Sequence, residues 1–247
     1  MAKKTKDQKT VGELIYGIHP VVELLKAKKR KLITIYTTKP TPKGWSDIEK
    51  LMPHYPVPIQ YVTRDILTRM VNSADHQGVV AWAQIFPFRK KFFEAGKQKF
   101  LVLLDGIQDP RNLGAILRSA YCAGADGAII TQKHSAPLSA TAIKASAGLA
   151  ERMEIFVAPS IEAAAQELTK AGYKLYLAAF GGKNAAQCSY DMPLCLVIGS
   201  EGQGISKNIY QYGTQITLPQ RTSDISYNAS VAAGILLFLI ATQHGRI

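Results

Sequence analysis

FLVLLDGIQDPRNLGAILRSA occupies residues 100–120. It opens on an unbroken apolar run, halts at Asp105-Gly106, and passes through a polar turn into an amphipathic stretch that ends near Cys122. A continuous apolar run of this kind fits a strand buried on both faces, the situation of a parallel sheet covered by helices. The stretch therefore predicts a strand over Phe100–Ile107 and a helix over Asn112–Cys122.

The same alternation continues downstream. Strands are expected at Gly127–Thr131, Glu154–Ala158, Lys174–Phe180, Leu194–Gly199 and Gln215–Leu218. Helices are expected at Thr141–Ala147, from a Ser160 cap to Ala171, at Ser206–Tyr212, and from Ser230 onward. Strands alternating with helices make residues 100–247 an α/β domain with a mainly parallel sheet.

Upstream the pattern is mixed. A helix over His19–Lys29, strands at Leu32–Thr37, Val57–Thr63 and Gly78–Ile85, and a short helix from Asp65 to Val71 suffice for a small α/β domain over residues 11–85. FPFRKKFFEAGKQK, residues 86–99, breaks the pattern with Pro87, Gly96 and five basic residues, and reads as a linker. Residues 1–10 are polar and Lys-rich, as in a flexible basic arm.

Charge divides along the same line. The net charge is +12, and residues 1–99 hold 19 Lys and Arg against 8 Asp and Glu. Residues 100–247 hold 11 against 10. The N-terminal part is thus the electrostatic docking element for a polyanion, and the C-terminal part a near-neutral body. Lys26, Lys28, Lys29, Arg30 and Lys31 form the densest run, with Lys3, Lys4, Lys6 and Lys9 in the arm. Such a run is equally the mark of a solvated face, and the asymmetry is what favours nucleic acid.

Other classes are disfavoured. Cys122, Cys188 and Cys195 are odd in number and lack CxxC spacing, so neither a disulfide framework nor a zinc site is expected, and a reducing cytoplasm fits. The five histidines show no metal-ligand pattern. The longest apolar run, Val231 to Ala241, falls short of the about 20 residues a membrane helix needs. No GxGxxG follows the Phe100 strand, which argues against a nicotinamide dehydrogenase.

Ligands of parallel sheets bind at the carboxyl ends of the strands, and three loops lie there. The first carries Asn112 at the helix start and Arg118 roughly a turn and two-thirds further on. Taken alone it is equally a helix cap and a surface arginine. The second, VIGSEGQGIS at 197–206, has Gly199, Gly202 and Gly204 for close backbone approach and Glu201 at its tip. Taken alone it is a tight turn. The third, ITLPQRTSDISYNASVAAGILLF at 216–238, crowds Ser226, Asn228 and Ser230 before an apolar helix. Capping explains one of those three polar residues.

Together the three segments resemble the signature motifs of the SpoU/TrmH family of RNA ribose 2′-O-methyltransferases. The first motif is seen in Asp109-Pro110, Asn112, Leu113-Gly114 and Arg118. The second is seen in Gly199-Ser200-Glu201-Gly202 with Gly204, and the third in Leu218-Pro219, Ser226, Asn228 and Ser230-Val231-Ala232-Ala233-Gly234. Tyr16-Gly17-Ile18-His19-Pro20-Val21 and His76-Gln77-Gly78-Val79 resemble the opening and closing signatures of the family's RNA-binding domain. Nearly the whole chain is covered. Within the family it is most similar to bacterial enzymes acting on a 23S ribosomal RNA guanosine.

The resemblance implies a C-terminal α/β domain with a trefoil knot, homodimerisation through the knotted region, and S-adenosyl-L-methionine as methyl donor. It implies that Gly199, Leu218, Tyr227, Ala179 and Ile198 line the donor pocket. Arg118, Asn112, Glu201, Ser226 and Asn228 would serve catalysis, with Arg118 reaching in from the partner subunit. A guanidinium keeps its proton up to a pKa above about 12, so Arg118 is expected to hold a phosphate and stabilise developing oxygen charge rather than act as base. Lys28, Lys29, Arg30, Lys31 and Arg111 are the expected RNA contacts. No metal and no membrane are expected to take part. Two departures stand out: Tyr227 replaces a common Leu, and Gln220-Arg221 replaces small apolar residues near the cofactor loop. Two alternatives stay open, an enzyme of the same family acting on transfer RNA and a non-catalytic RNA-binding or assembly protein.

Overall fold

The structure is a computed structural model that describes residues 12–222 and 226–247. The basic arm with Lys3, Lys4, Lys6 and Lys9 lies outside the described residues. The chain divides into two compact units, the first ending at Pro87 and the second beginning at Phe88.

The first unit runs β1 (Gly12–Tyr16), α1 (Ile18–Ala27), β2 (Leu32–Thr37), α2 (Trp45–Glu49), β3 (Ile59–Tyr61), α3 (Arg64–Val71) and β4 (Val79–Gln84). Its sheet has the order β1-β4-β2-β3, with β4 antiparallel to both neighbours and β2 parallel to β3. β1 and α2 were not expected from sequence, because Gly12–Tyr16 is short and Trp45–Glu49 follows a Pro- and Gly-rich stretch. The two signatures of this region meet in space. Gly17 N donates to Val79 O at 3.0 Å, and Ile18 N donates to the Gln77 side-chain oxygen at 3.1 Å. Buried His76 accepts from Gly78 N at 2.9 Å through Nδ1, while Nε2 lies 3.1 Å from Thr68 Oγ1. These residues thus close the unit on itself.

The second unit runs β5 (Phe100–Leu104), α4 (Pro110–Cys122), β6 (Gly127–Thr131), α5 (Ala140–Ala145), β7 (Ile155–Ala158), α6 (Ile161–Lys170), β8 (Lys174–Asn184), β9 (Leu194–Ile198), β10 (Gly213–Thr217) and α7 (Ala229–Gln243). The expected short helix after Ser206 is a 3-10 segment, Lys207–Tyr212. The six strands form one parallel sheet in the order β10-β8-β9-β5-β6-β7. β5 and β9 are buried along their whole length, as an apolar run covered on both faces requires. From β5 the chain steps outward to β6 and β7, then crosses to the opposite side for β8, β9 and β10. The gap between β5 and β9 is therefore the topological switch point where a ligand crevice opens.

β8 departs most from expectation. It pairs with β10 through Leu177, then resumes at Lys183, so residues 178–182 leave the ladder before it continues to Asn184. Gly181 takes a positive φ of 76° inside this excursion. The segment expected as a linker is also different: from Phe88 on it belongs to the second unit. Arg89 N donates to Ile155 O at 2.8 Å, its guanidinium sits 4.5 Å from the Phe93 ring centroid, and Phe93 is only 2% exposed. Its aromatic rings supply buried area that a free tether lacks.

Candidate active site

α4 starts two residues earlier than its polar residues suggest. Asp109 is the N-cap, accepting from Arg111 N at 2.8 Å, and Pro110 takes the first helical position. Asn112 is thereby released from capping. Gly114 lets α4 press on α5: a Cβ there would lie 2.2 Å from Ala142 O. At α7 the cap is Asn228, whose Oδ1 accepts from Ser230 N at 2.9 Å, Ser230 Oγ at 2.6 Å and Val231 N at 3.4 Å. Ser230 therefore lies inside the helix rather than opening it.

With its oxygen so occupied, the Asn228 amide directs Nδ2 outward. That nitrogen donates to Glu201 Oε1 and, at 3.3 Å, to Asn112 Oδ1. Asn112 Nδ2 donates to the same Glu201 oxygen at 2.6 Å. One residue from each of the three loops thus meets in a single network. The carboxylate accepts from two amide groups, and bonds to an ionised acceptor are roughly twice as strong as neutral ones.

The loop that holds Glu201 is fixed from below. Ser200 and Gly204 exchange backbone hydrogen bonds of 3.1 and 2.9 Å. Asp105 Oδ2 accepts from Ser206 N and Ser206 Oγ, both at 3.0 Å, which ties the end of β5 to the end of this loop. Sequence reasoning passed over that pair, because Asp105 read only as a strand terminator.

Two cavities flank the loop. One, of about 490 Å³, is walled by Ala178, Ala179, Phe180, Ile198, Leu218, Tyr227 and Leu236, with Gly199, Gln220 and Ser226 among its other residues. The second, of about 960 Å³, is more polar and includes Asp109, Asn112, Lys133, His134 and Glu162. Ser200 through Ile205, with Lys207 and Ala229, line both, so the loop is their common wall. Backbone and Ser160 hydrogen bonds, assisted by Asn208, hold the Glu162 carboxyl below the usual range and keep it ionised at the rim of the polar cavity. Among the described residues no group of three or more His, Cys, Asp or Glu is placed to hold a metal ion.

The predicted residues fall into three groups. Gly199, Leu218, Tyr227, Ala179, Ile198 and Ser226 line the apolar cavity. Asn112, Glu201 and Asn228 form the network beside it. Arg118 is elsewhere: it is exposed on α4 and lines neither cavity of its own chain. Arg111 is exposed in the first turn of α4. In the first unit Lys28 and Lys31 are exposed and Lys29 is half-buried. Arg30 requires correction. It is 7% exposed, pairs with Glu13, donates to Gln84 O at 2.9 Å and sits 5.5 Å from the Phe86 ring centroid. Its charge is satisfied inside the unit and is not presented to RNA. Gln220 and the Ala178–Phe180 excursion were not fully foreseen as cavity walls, since sequence alone gives no sign that β8 leaves its ladder.

Comparison with known proteins agrees with this geometry. The SpoU rRNA methylase family model matches residues 99–238, and an RNA 2′-O ribose methyltransferase substrate-binding model matches residues 14–88. The chain is 33% identical over 235 residues to a putative TrmH family tRNA/rRNA methyltransferase, YacO, of Bacillus subtilis, covering 92% of this chain and 94% of that one. It is 32% identical over 252 residues to the 23S rRNA (guanosine-2′-O-)-methyltransferase RlmB of Haemophilus influenzae, covering 94% and 98%. The crystal structure of an AdoMet-bound rRNA methyltransferase from Sinorhizobium meliloti shares the fold, with a TM-score of 0.79 at 22% identity over 96% of this chain and 88% of that one. With the three loops converging as its motifs require, and with both of its domains matched, the chain belongs to the SpoU/TrmH family of RNA 2′-O-methyltransferases.

Proposed function

We propose that this protein transfers the methyl group of S-adenosyl-L-methionine to a guanosine ribose 2′-hydroxyl in 23S ribosomal RNA, acting as a cytoplasmic homodimer. The carrying observation is the Asn112–Glu201–Asn228 network on a wall shared by an apolar and a polar cavity. The apolar cavity suits a nucleoside-sized donor: its walls include Ala, Ile, Leu, Phe and Tyr side chains. The polar cavity suits a nucleotide. When bound, the donor supplies a methyl group on a positively charged sulfur, and the reaction joins it to the ribose oxygen as that hydroxyl loses its proton.

The protein's contribution is placement. Gly199 and its neighbours let the wall be backbone-thin between the two reactants. Glu201 orients the amides of Asn112 and Asn228 toward the polar side, and Ser226 stands on the donor side.

Arg118 belongs to the same proposal through a second copy. α7 exposes Val231 (49%), Ile235 (37%) and Phe238 (58%), spaced to lie on one face. α4 packs against α7, where Gly234 approaches Ser119, so Arg118 adjoins a helix whose open face suits a second copy. A partner seated there brings its Arg118 to this chain's network, to hold phosphate and developing charge. The knotted C-terminal path implied by the resemblance is part of the same reading. No helix among the described residues is long and apolar enough to cross a membrane.

Two measurements test the proposal. Full-length protein with labelled donor should methylate 23S RNA fragments, and 2′-O-methyl mapping of RNA from cells lacking it should show one guanosine site lost from 23S RNA. A site lost from transfer RNA instead assigns the other substrate. No loss in either RNA, with no transfer in vitro, leaves a binding protein.

A further inference from the structure

The parallel pair of the first unit, β2 and β3, ends at the register partners Thr37 and Tyr61, where Val62 N donates to Thr37 O at 2.8 Å. The chain just past these carboxyl ends lines an open groove of about 750 Å³, in the place where ligands of open sheets bind. One lining segment is the loop from Thr38 to Pro42. Pro40 and Pro42 fix φ there, and Thr38 Oγ1 donates to Pro40 O at 2.9 Å. A wall fixed in this way loses little freedom when a ligand arrives. Tyr61, Arg64 and Ile66 belong to the other segment.

Two features of the lining select the ligand. The first is an open aromatic ring. Tyr61 is 48% exposed, with Lys39 Nζ 4.3 Å from its ring centroid. Tyr55, also exposed, accepts from Leu32 N at 3.0 Å and so helps hold β2, whereas Tyr61 makes no hydrogen bond among the described residues. The second feature is one-sided charge. Lys39 and Arg64 are exposed, no Asp or Glu lines the groove, and neither cation has an ion-pair partner among the described residues. Other cations of the unit are compensated: Lys26 pairs with Glu23, Lys50 with Asp47 and Arg30 with Glu13. An apolar peptide could use the ring and the prolines but would leave both charges unanswered. An unpaired nucleotide answers both features, because its base stacks on an aromatic face and its phosphates take the cations.

Resting on the RNA-substrate reading above, we propose that this groove is a subsite for an unpaired nucleotide of the RNA, with its base stacked on Tyr61 and its phosphates met by Lys39 and Arg64. It makes the first unit sensitive to RNA structure as well as to charge. Bases within a duplex are already stacked on one another and do not reach the ring, while a base splayed from a loop or bulge does.

The experiment is fluorescence anisotropy of the full-length protein with a labelled polypyrimidine RNA oligonucleotide, alone and annealed to its polypurine complement, over a range of salt concentrations. Tyr61→Leu should bind the single strand about tenfold more weakly and the duplex unchanged. Its salt slope should match that of the natural chain, since the ring carries no charge. Tyr61→Phe should keep the natural affinity, because stacking needs the ring and not the hydroxyl. Lys39→Gln should instead lower the single-strand slope of log affinity against log salt by about 0.7, the share of one phosphate. The ratio of single-strand to duplex affinity is independent of the folded fraction, so it separates lost stacking from misfolding. An unchanged ratio in Tyr61→Leu, an equal loss in Tyr61→Phe, or an unchanged slope in Lys39→Gln overturns the subsite while leaving the RNA-substrate reading intact. Failure of the natural chain to bind either RNA overturns that reading and the subsite with it.

Discussion

Replacing Gly199 by Ala is the sharpest test of the wall between the cavities. Its Cβ would lie 2.1 Å from Gly204 C, 2.2 Å from Gly204 O and 2.4 Å from Ile205 N. Carbon contacts settle near 3.5–4.0 Å, so the returning strand has to retreat by more than about 1 Å. All three clashing atoms are backbone, and no rotamer relieves them. The retreat strains the paired Ser200–Gly204 hydrogen bonds, of 3.1 and 2.9 Å. Overpacking costs about 1–3 kcal/mol and a strained pair of hydrogen bonds roughly 1 kcal/mol more. At about 2–4 °C per kcal/mol for a unit of this size, a loss near 3 kcal/mol lowers Tm by roughly 6–12 °C. The same displacement carries Glu201 away from Asn112 and Asn228, and a misplacement of about 1 Å can cost about 100-fold in turnover.

The loop supplies its own controls. A Cβ at Gly202 meets nothing within 4 Å, so Gly202→Ala should leave stability within about 0.5 kcal/mol of the natural chain. Gly204 has φ of 66° with open space around it, and Gly204→Ala should cost about 1–2 kcal/mol from backbone strain alone. Thermal unfolding read by circular dichroism should therefore rank Gly202→Ala above Gly204→Ala above Gly199→Ala, and methyl transfer should collapse in the last. Equal melting of Gly199→Ala and Gly202→Ala refutes the close-approach argument.

Five further outcomes are expected. Arg118→Lys should lose about 100-fold in turnover, because lysine lacks the planar fork that grips a phosphate in two places. Mixed dimers of Arg118→Ala and Asn112→Ala chains should recover methyl transfer that neither pure variant shows; a mixture as dead as its parents places Arg118 in its own chain's site. Phe238→Glu puts a charge on the apolar face of α7 and should yield monomers in sedimentation velocity, and an unchanged dimer shows that the face lies outside the interface. Lys28→Ala with Lys31→Ala should weaken RNA binding and flatten its salt dependence. Arg30→Ala should instead lower stability by stranding Glu13 and Gln84 O; a salt-slope change equal to that of the lysines contradicts its buried placement.

How far the sequence could be read depends on the range of the forces involved. Burial shows as local composition, so the apolar runs at Phe100–Leu104 and Leu194–Ile198 announce fully covered strands, and Ser160 is a cap in sequence and in structure. The helix at α4 was placed two residues late because Asp109-Pro110 reads as turn, although the same pair is an N-cap followed by the one helical position that favours Pro. The β8 excursion was invisible. It is set by pairing with β10, which lies far along the chain and takes Leu177 and Lys183 as successive partners. Arg30 misled for the mirror reason. A basic run looks solvated in one dimension, but burial picks out single members, and Glu13 on a neighbouring strand was no part of the local pattern. The network at Glu201 was legible only through the motifs, since spacing alone cannot say that three loops on β5, β9 and β10 end at one edge.

That shared edge also explains where Arg118 stands. β5 and β9 are neighbours at the switch point, so the loops after them face each other across the crevice, and α4 begins there with Asn112 in its first turn. A helix rises about 1.5 Å per residue, and six residues carry Arg118 about 9 Å away along α4. In the proposed homodimer the guanidinium on α4 serves the other chain's crevice, and the apolar stripe on the adjoining α7 offers the face through which that chain would dock. On this reading dimerisation is a geometric requirement of the motif: Asn112 and Arg118 lie on one helix yet act in different sites, and separating the subunits should remove the arginine from a network that itself stays assembled.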